Sequence, residues 1–234
     1  MSKKYTYDDF VEIIKTLRSE NGCPWDREQT HESLRPCLME EAAEVLAAIR
    51  ILKETDNPEN LQEELGDVLL QVVMHAQIAK EEGLFTMEDV VNDVATKMVR
   101  RHPHVFGTVE VEDSDEVLQN WEEIKKKEKE GKSWVESPLK EIPRELPALT
   151  RAPKVLKKAD KVYDRRNSFE EDVTVMSESI KTLEMAATQK DKQALETEVG
   201  NILMALSDIA KQYKLSMEQI LTDRIDDFIE ECEN

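Results

Sequence analysis

Glycine, proline and aromatic residues are all scarce in this sequence: 6 Gly and 8 Pro among 234 residues, with Phe, Trp and Tyr together at 5%. So few turn-formers argue against the many short strands of a sheet protein. No apolar run is long enough to span a bilayer, and Met1-Ser2-Lys3-Lys4-Tyr5 has nothing resembling the apolar stretch of a signal peptide. Three cysteines, Cys23, Cys37 and Cys232, cannot all pair within one chain, and their spacing is not that of a zinc site. A reducing cytoplasm is the expected setting. Positive charge is in deficit, with 32 Lys and Arg against 51 Asp and Glu and a formal charge of -19. That argues against stable nucleic-acid binding, where basic patches dominate. A phosphate-bearing small molecule stays open, provided a metal ion or local basic residues neutralise it.

What is abundant is charge on helical spacing. Charged residues make up 35% of the chain, the composition of long helices with solvated faces, and the expected fold class is all-α. Phe10, Ile13, Ile14 and Leu17 predict a first helix ending near Asn21-Gly22. A second is expected over about 31–53, broken by Asp56-Asn57-Pro58, and a third over about 59–82, stopped by Gly83. Thr86 opens a fourth, reaching about Arg101, and a fifth holds Trp121 and Ile124 before a charged run from Lys125 to Glu130. Residues 137–153 hold four prolines and read as a linker. Helical patterns resume at about 154–163, 168–188, 191–213 and 216–231.

The second half reads as a worn copy of the first. Glu64-Leu65-Gly66-Asp67-Val68-Leu69-Leu70 matches Glu198-Val199-Gly200-Asn201-Ile202-Leu203-Met204 at a spacing of 134 residues. Met87-Glu88-Asp89-Val90-Val91 matches Met217-Glu218-Gln219-Ile220-Leu221 at 130, as if the loop between were shorter.

The acidic residues form a pattern. Glu41 with Glu44, and Glu64 with Asp67, stand three apart and so share a helix face. The break at 56–58 lets their two helices run antiparallel, with the pairs facing. Leu38, Ala42, Val45, Leu46 and Ile49 surround one pair, and Leu65, Val68 and Leu69 the other. Four acids beside an apolar seam repel each other unless a cation compensates. Hard oxygen donors without a His or Cys set point to Mg2+, with Mn2+ as a substitute, over zinc. Ordinary solvent-facing glutamates are the bland alternative. Gly66 costs the helix interior about 1 kcal/mol relative to Ala, which suggests close helix approach there.

Glu40-Glu41-x-x-Glu44 followed by Glu63-Glu64-Leu65-Gly66-Asp67 resembles the signature of the MazG-type all-α nucleoside triphosphate pyrophosphohydrolases. Asn21-Gly22-Cys23-Pro24-Trp25-Asp26, Gln29-Thr30 and Arg100-Arg101-His102-Pro103-His104-Val105-Phe106 strengthen the likeness, as does Ile142-Pro143-Arg144 through Leu146-Pro147-Ala148-Leu149. The resemblance implies two tandem helical-bundle repeats, a homodimer, and Mg-dependent hydrolysis of an NTP or dNTP to the monophosphate and pyrophosphate. It assigns the metal to Glu41, Glu44, Glu64 and Asp67, and makes Glu40 and Glu63 candidates for orienting water. It also assigns nucleotide contact to Trp121 and Lys125, i and i+4 on one face, although Trp121 reads equally as a core anchor. Lys97 and Arg101 share another face beside Arg100, and an arginine fork suits phosphate oxygens. Trp25 reads either as a stacking platform for a base or as a packing residue, and His102 and His104 as helix termination and packing. Two rivals stay open: a narrower helical pyrophosphohydrolase for one pyrimidine dNTP or a phosphoribosyl nucleotide, and a non-catalytic acidic interaction protein.

The second repeat keeps the apolar spacing and loses the chemistry. Asp67 becomes Asn201, Glu178 has Val175 three before it and Lys181 three after, and Lys97, Arg100 and Arg101 align with Asp227, Glu230 and Glu231. No counterpart of Trp121 and Lys125 appears by Asn234. The expected organisation is a catalytic domain over 1–136, a linker over 137–153 and an inactive repeat over 154–234.

Overall fold

Helix boundaries in this chain are set by caps that its sequence spells out. The structure, a computed structural model, describes residues 3–129 and 137–233, the side chains of Lys126 and Lys129 excepted. The helices are α1 (Tyr7–Leu17), α2 (Pro24–Glu28), α3 (Arg35–Thr55), α4 (Glu59–Glu81), α5 (Met87–Arg101), α6 (Pro103–Phe106), α7 (Ser114–Lys129), α8 (Ala148–Tyr163), α9 (Phe169–Gln189), α10 (Lys192–Gln212) and α11 (Met217–Glu233). No strand occurs among the described residues, as expected of an all-α chain. Thr6 with Asp9, Thr86 with Asp89 and Ser168 with Glu171 form reciprocal capping boxes that satisfy orphan amides at three helix starts. A similar exchange between Thr30 and Ser33, amide to hydroxyl in both directions, opens the turn that runs into α3.

Two compact units divide the chain, Met1–Lys129 and Glu130–Asn234; the expected boundary at 136 lies outside the described residues. In the first unit α4 packs on α3, α1 and α5, and α5 packs on α7. Its core gathers Ile14, Leu34, Val73, Met74 and Ile78, with Phe10, Val11, Leu17, Leu70 and Met87 against it. That core therefore sits under the C-terminal half of α4, leaving the N-terminal half for the acidic residues. Arg18 ties the α1 end to its neighbours: it donates to the carbonyls of Asp26 and Gln29 and to Glu81 on α4. Gly22 is required by close approach, since a Cβ there meets Leu17 O at 2.2 Å.

In the second unit α10 packs on α9 and α8, around a more polar interior. Asp172 is fully buried and accepts from Asn167 Nδ2 and Gln212 Nε2, both at 2.9 Å. Burial, ahead of the charge of Asp208, raises its carboxyl above the ordinary range. Lys211 pairs with both Asp208 and Asp160, the latter at 2.6 Å.

The repeat shows in the terminators. Asp56 and Lys190, 134 residues apart, both end their helices in the left-handed region at φ 57° and 56°. The next residues serve alike: Asn57 accepts from the Glu59 amide and Asp191 from the Ala194 amide. Gly83 and Lys214 are likewise left-handed, and Leu84 and Leu215 donate back to Ala79 O and Ala210 O at 2.9 and 2.8 Å. That second cap pair is 131 apart, so most of the shortening falls between the two caps, in the α10 stretch, and not in the loop. Three residues are close to one helical turn, which keeps the buried face.

Three expectations change. The helix expected from 154 begins at Ala148 and carries Pro153 inside it, at a position where the ring removes the backbone bond to the carbonyl of Leu149. A Cβ at Gly66 meets nothing within 4 Å, so close helix approach within the chain is not its reason. The seam around the acids is no interior either: Leu46 is 70% and Leu65 52% exposed, with Leu38, Ile49 and Leu69 also exposed.

Candidate active site

The turn at Asp56–Pro58 folds α4 back on α3 and brings their acidic faces together. One carboxylate oxygen each from Glu41, Glu64 and Asp67 lies within 4.8 Å of the other two, and all three side chains are half-buried. Glu44 joins them electrostatically. The charge of Glu64, then partial desolvation, then the charge of Glu41 raises its carboxyl above the ordinary range. Asn60, one turn before Glu64, donates Nδ2–H to Glu64 Oε1 at 2.8 Å. An oxygen-only donor set of this kind, from two helices and under mutual repulsion, fits a hard divalent cation. Glu40 and Glu63 are exposed neighbours and do not belong to the converged set.

The basic residues assemble on another pair of helices. Arg100 and Arg101 at the end of α5 both bind Glu128 near the end of α7, Arg100 Nη2 at 2.7 Å and Arg101 Nε at 3.1 Å. Hydrogen bonds from Arg101, then from Arg100, hold the Glu128 carboxyl down at about 2 against the opposing effect of burial. Arg101 and Lys125 also lie over the Trp121 ring, 5.1 and 4.8 Å from its centroid. Trp121 is half-buried, so its face is a platform for cations rather than the anchor of a core. Lys97 is half-buried one turn before Arg101. Trp25 on α2 is 59% exposed, and His102 caps α5, its Nδ1 on Met98 O at 2.7 Å.

In the second unit Glu198 is engaged by Asn201 Nδ2 at 3.2 Å. The only group of three candidate ligands among the described residues is that of the first unit.

A sequence profile of the MazG nucleotide pyrophosphohydrolase domain matches residues 29–106. The chain is 39% identical over 224 residues to the nucleoside triphosphate pyrophosphohydrolase/pyrophosphatase MazG of Thermotoga maritima, covering 96% of this chain and 83% of that protein. The chain belongs to the MazG family. A nucleoside triphosphate pyrophosphohydrolase of Escherichia coli K12 is 41% identical over 207 residues, 87% of this chain and 77% of the relative. The YabN protein of Bacillus subtilis is 43% identical over 225 residues, 96% of this chain, and the chain spans 45% of its length. The MazG match takes in α3, α4, α5 and α6 with the whole carboxylate group, and stops before Trp121, Lys125 and Glu128 on α7. Sequence reasoning had missed Asn60, Arg18 and Glu128. An amide four residues before Glu64 was a readable signal for the first. The other two act across long sequence separations that helical periodicity does not encode.

Proposed function

We propose that this chain hydrolyses nucleoside triphosphates, ribo or deoxy, to the monophosphate and pyrophosphate, with Mg2+ at Glu41, Glu44, Glu64 and Asp67 and Mn2+ as a substitute. The observation that carries this reading is the convergence of Glu41, Glu64 and Asp67 oxygens from two helices, in a chain of the MazG family. A divalent ion there supplies charge neutralisation for the triphosphate and a more acidic water. Glu40 and Glu63 flank the ligands on the exposed side and are assigned to orienting the attacking water. Lys97, Arg100, Arg101 and Lys125 take up phosphate charge, which guanidinium forks and ammonium groups hold well. Trp121 presents its face beside them, and Trp25 is the candidate for stacking on the base.

The catalytic assignment is to the first repeat alone, over 1–136, with 154–234 as an inactive copy and 137–153 as the linker between them, its last six residues being the start of α8. Its support is the loss of Asp67 at Asn201 and the reversed charges at Asp227, Glu230 and Glu231. A homodimer would cover the apolar residues left exposed around the acids, Leu46, Ile49 and Leu65 among them, since contiguous exposed apolar surface marks interfaces. Three unbridged cysteines suit a reducing compartment. Among the described residues no helix is long and apolar enough to cross a membrane, and the net charge of -19 disfavours nucleic acid as a partner. Pyrophosphate release measured across a panel of NTPs and dNTPs with Mg2+ tests the reading; absence of release from every one of them overturns it.

A further inference from the structure

The arginine forks assigned above to phosphate already hold an anion, the chain's own. Arg100 donates from Nε at 2.8 Å to one oxygen of Glu128, and its Nη2 stands 2.7 Å from the same oxygen in an ion pair. Arg101 donates to the other oxygen from Nε at 3.1 Å and from Nη2 at 2.5 Å. Both Glu128 oxygens are thus engaged by guanidinium groups, and its side chain is only 10% exposed. Planar forks that bind a carboxylate this way present the same donors to phosphate oxygens. The Trp121 ring, with Arg101 and Lys125 over it, ties the cationic cluster to α7, and Glu128 lies one residue from the end of that helix at Lys129.

We propose that Glu128 stands in for a substrate phosphate in the free chain, keeping the Arg100–Arg101 forks in binding geometry and competing with the phosphate chain for them. The inference rests on the reading of Arg100 and Arg101 as phosphate ligands. A carboxylate offers one negative charge and two oxygens; a pyrophosphate or triphosphate offers more of both, so the exchange runs toward the ligand. Only the end of α7 has to give way. The apparent affinity for any such ligand is lowered by the fraction of time the forks are occupied. The same competition favours departure of the product pyrophosphate.

Glu128→Gln keeps the size of the side chain, removes its charge and replaces one of its two acceptor oxygens with an amide donor. Calorimetric titration of the full chain with inorganic pyrophosphate and Mg2+ should show binding about five- to tenfold tighter in the variant. The KM for a hydrolysed NTP should fall by a similar factor with kcat unchanged. Equal or weaker pyrophosphate binding, or a raised KM, overturns the proposal and makes Glu128 a strut. If Glu128→Gln does not fold, Glu128→Asp serves, because the shorter side chain cannot hold both forks; tightening in the same direction is expected and its absence is equally decisive. A wild-type chain that releases pyrophosphate from an NTP while the variants bind no tighter sinks this inference alone. A wild-type chain inert toward every NTP removes the premise as well.

Discussion

Asn60 holds Glu64 in place: Nδ2–H of the amide meets Oε1 of the carboxylate at 2.8 Å across one turn of α4. Glu64 is also one of the three carboxylates that converge, with Glu41 and Asp67. Partners that orient a metal ligand matter nearly as much as the ligand, and their loss typically weakens binding by about 10- to 100-fold. Asn60→Ala is therefore expected to weaken Mn2+ binding, read by paramagnetic resonance titration, by about tenfold with helicity by circular dichroism unchanged. Unaltered affinity would show that Glu64 needs no such support.

Trp121 lies beneath two cations, Arg101 and Lys125. Cation–π contacts contribute about 0.5–1 kcal/mol each at exposed sites. Trp121→Ala should raise the KM for NTP by about three- to tenfold, and Trp121→Phe by less, because a ring face survives. A KM left unchanged by both variants contradicts the role given to this ring.

The interior of the second unit makes a separate prediction. Lys211 neutralises Asp208 and Asp160, its own side chain being 12% exposed. Removing one partner of a buried ion pair costs about 3–5 kcal/mol because the remaining charge is stranded. Lys211→Met should lower the urea midpoint of the second unit by a corresponding amount while leaving pyrophosphate release per folded molecule intact. Lost turnover in folded protein would tie this unit to the chemistry.

Acid should unfasten α7. The Glu128 carboxyl is held at about 2 in the folded chain, against about 4.3 when unfolded. A carboxyl depressed by folding contributes stability that is complete above the unfolded value and is lost as pH falls toward the folded one. The difference in thermal stability between the wild-type chain and Glu128→Gln should therefore be constant above about pH 5 and shrink progressively toward pH 2. A difference independent of pH over that window would mean the ion pair contributes nothing through its charge.

Much of this was legible in the residues, and for identifiable reasons. Helix ends followed local chemistry: Thr86 with Asp89, Gly83, and the Asp56–Pro58 break each act within one turn, so short spacings sufficed to find them. Glu41, Glu64 and Asp67 were readable because helical periodicity fixes which side chains share a face. Exposure was not. Leu46 and Leu65 have the spacing of core residues yet face outward, since an apolar stripe does not say whether its partner lies in the same chain. Gly66 was misread for a related reason, its surroundings being open. The capture of Arg100 and Arg101 by Glu128 spans 27 and 28 residues, beyond what a helical pattern reveals.

The central claim is that chemistry belongs to the carboxylates of the first unit alone. Pyrophosphate release with Mg2+, compared between Asp67→Asn and Glu198→Gln, tests it most directly, because the first imposes on α4 the residue that α10 already carries at Asn201. The account predicts that Asp67→Asn abolishes turnover with helicity intact and that Glu198→Gln is nearly silent. Full activity in Asp67→Asn, or loss of activity in a folded Glu198→Gln chain, would contradict it.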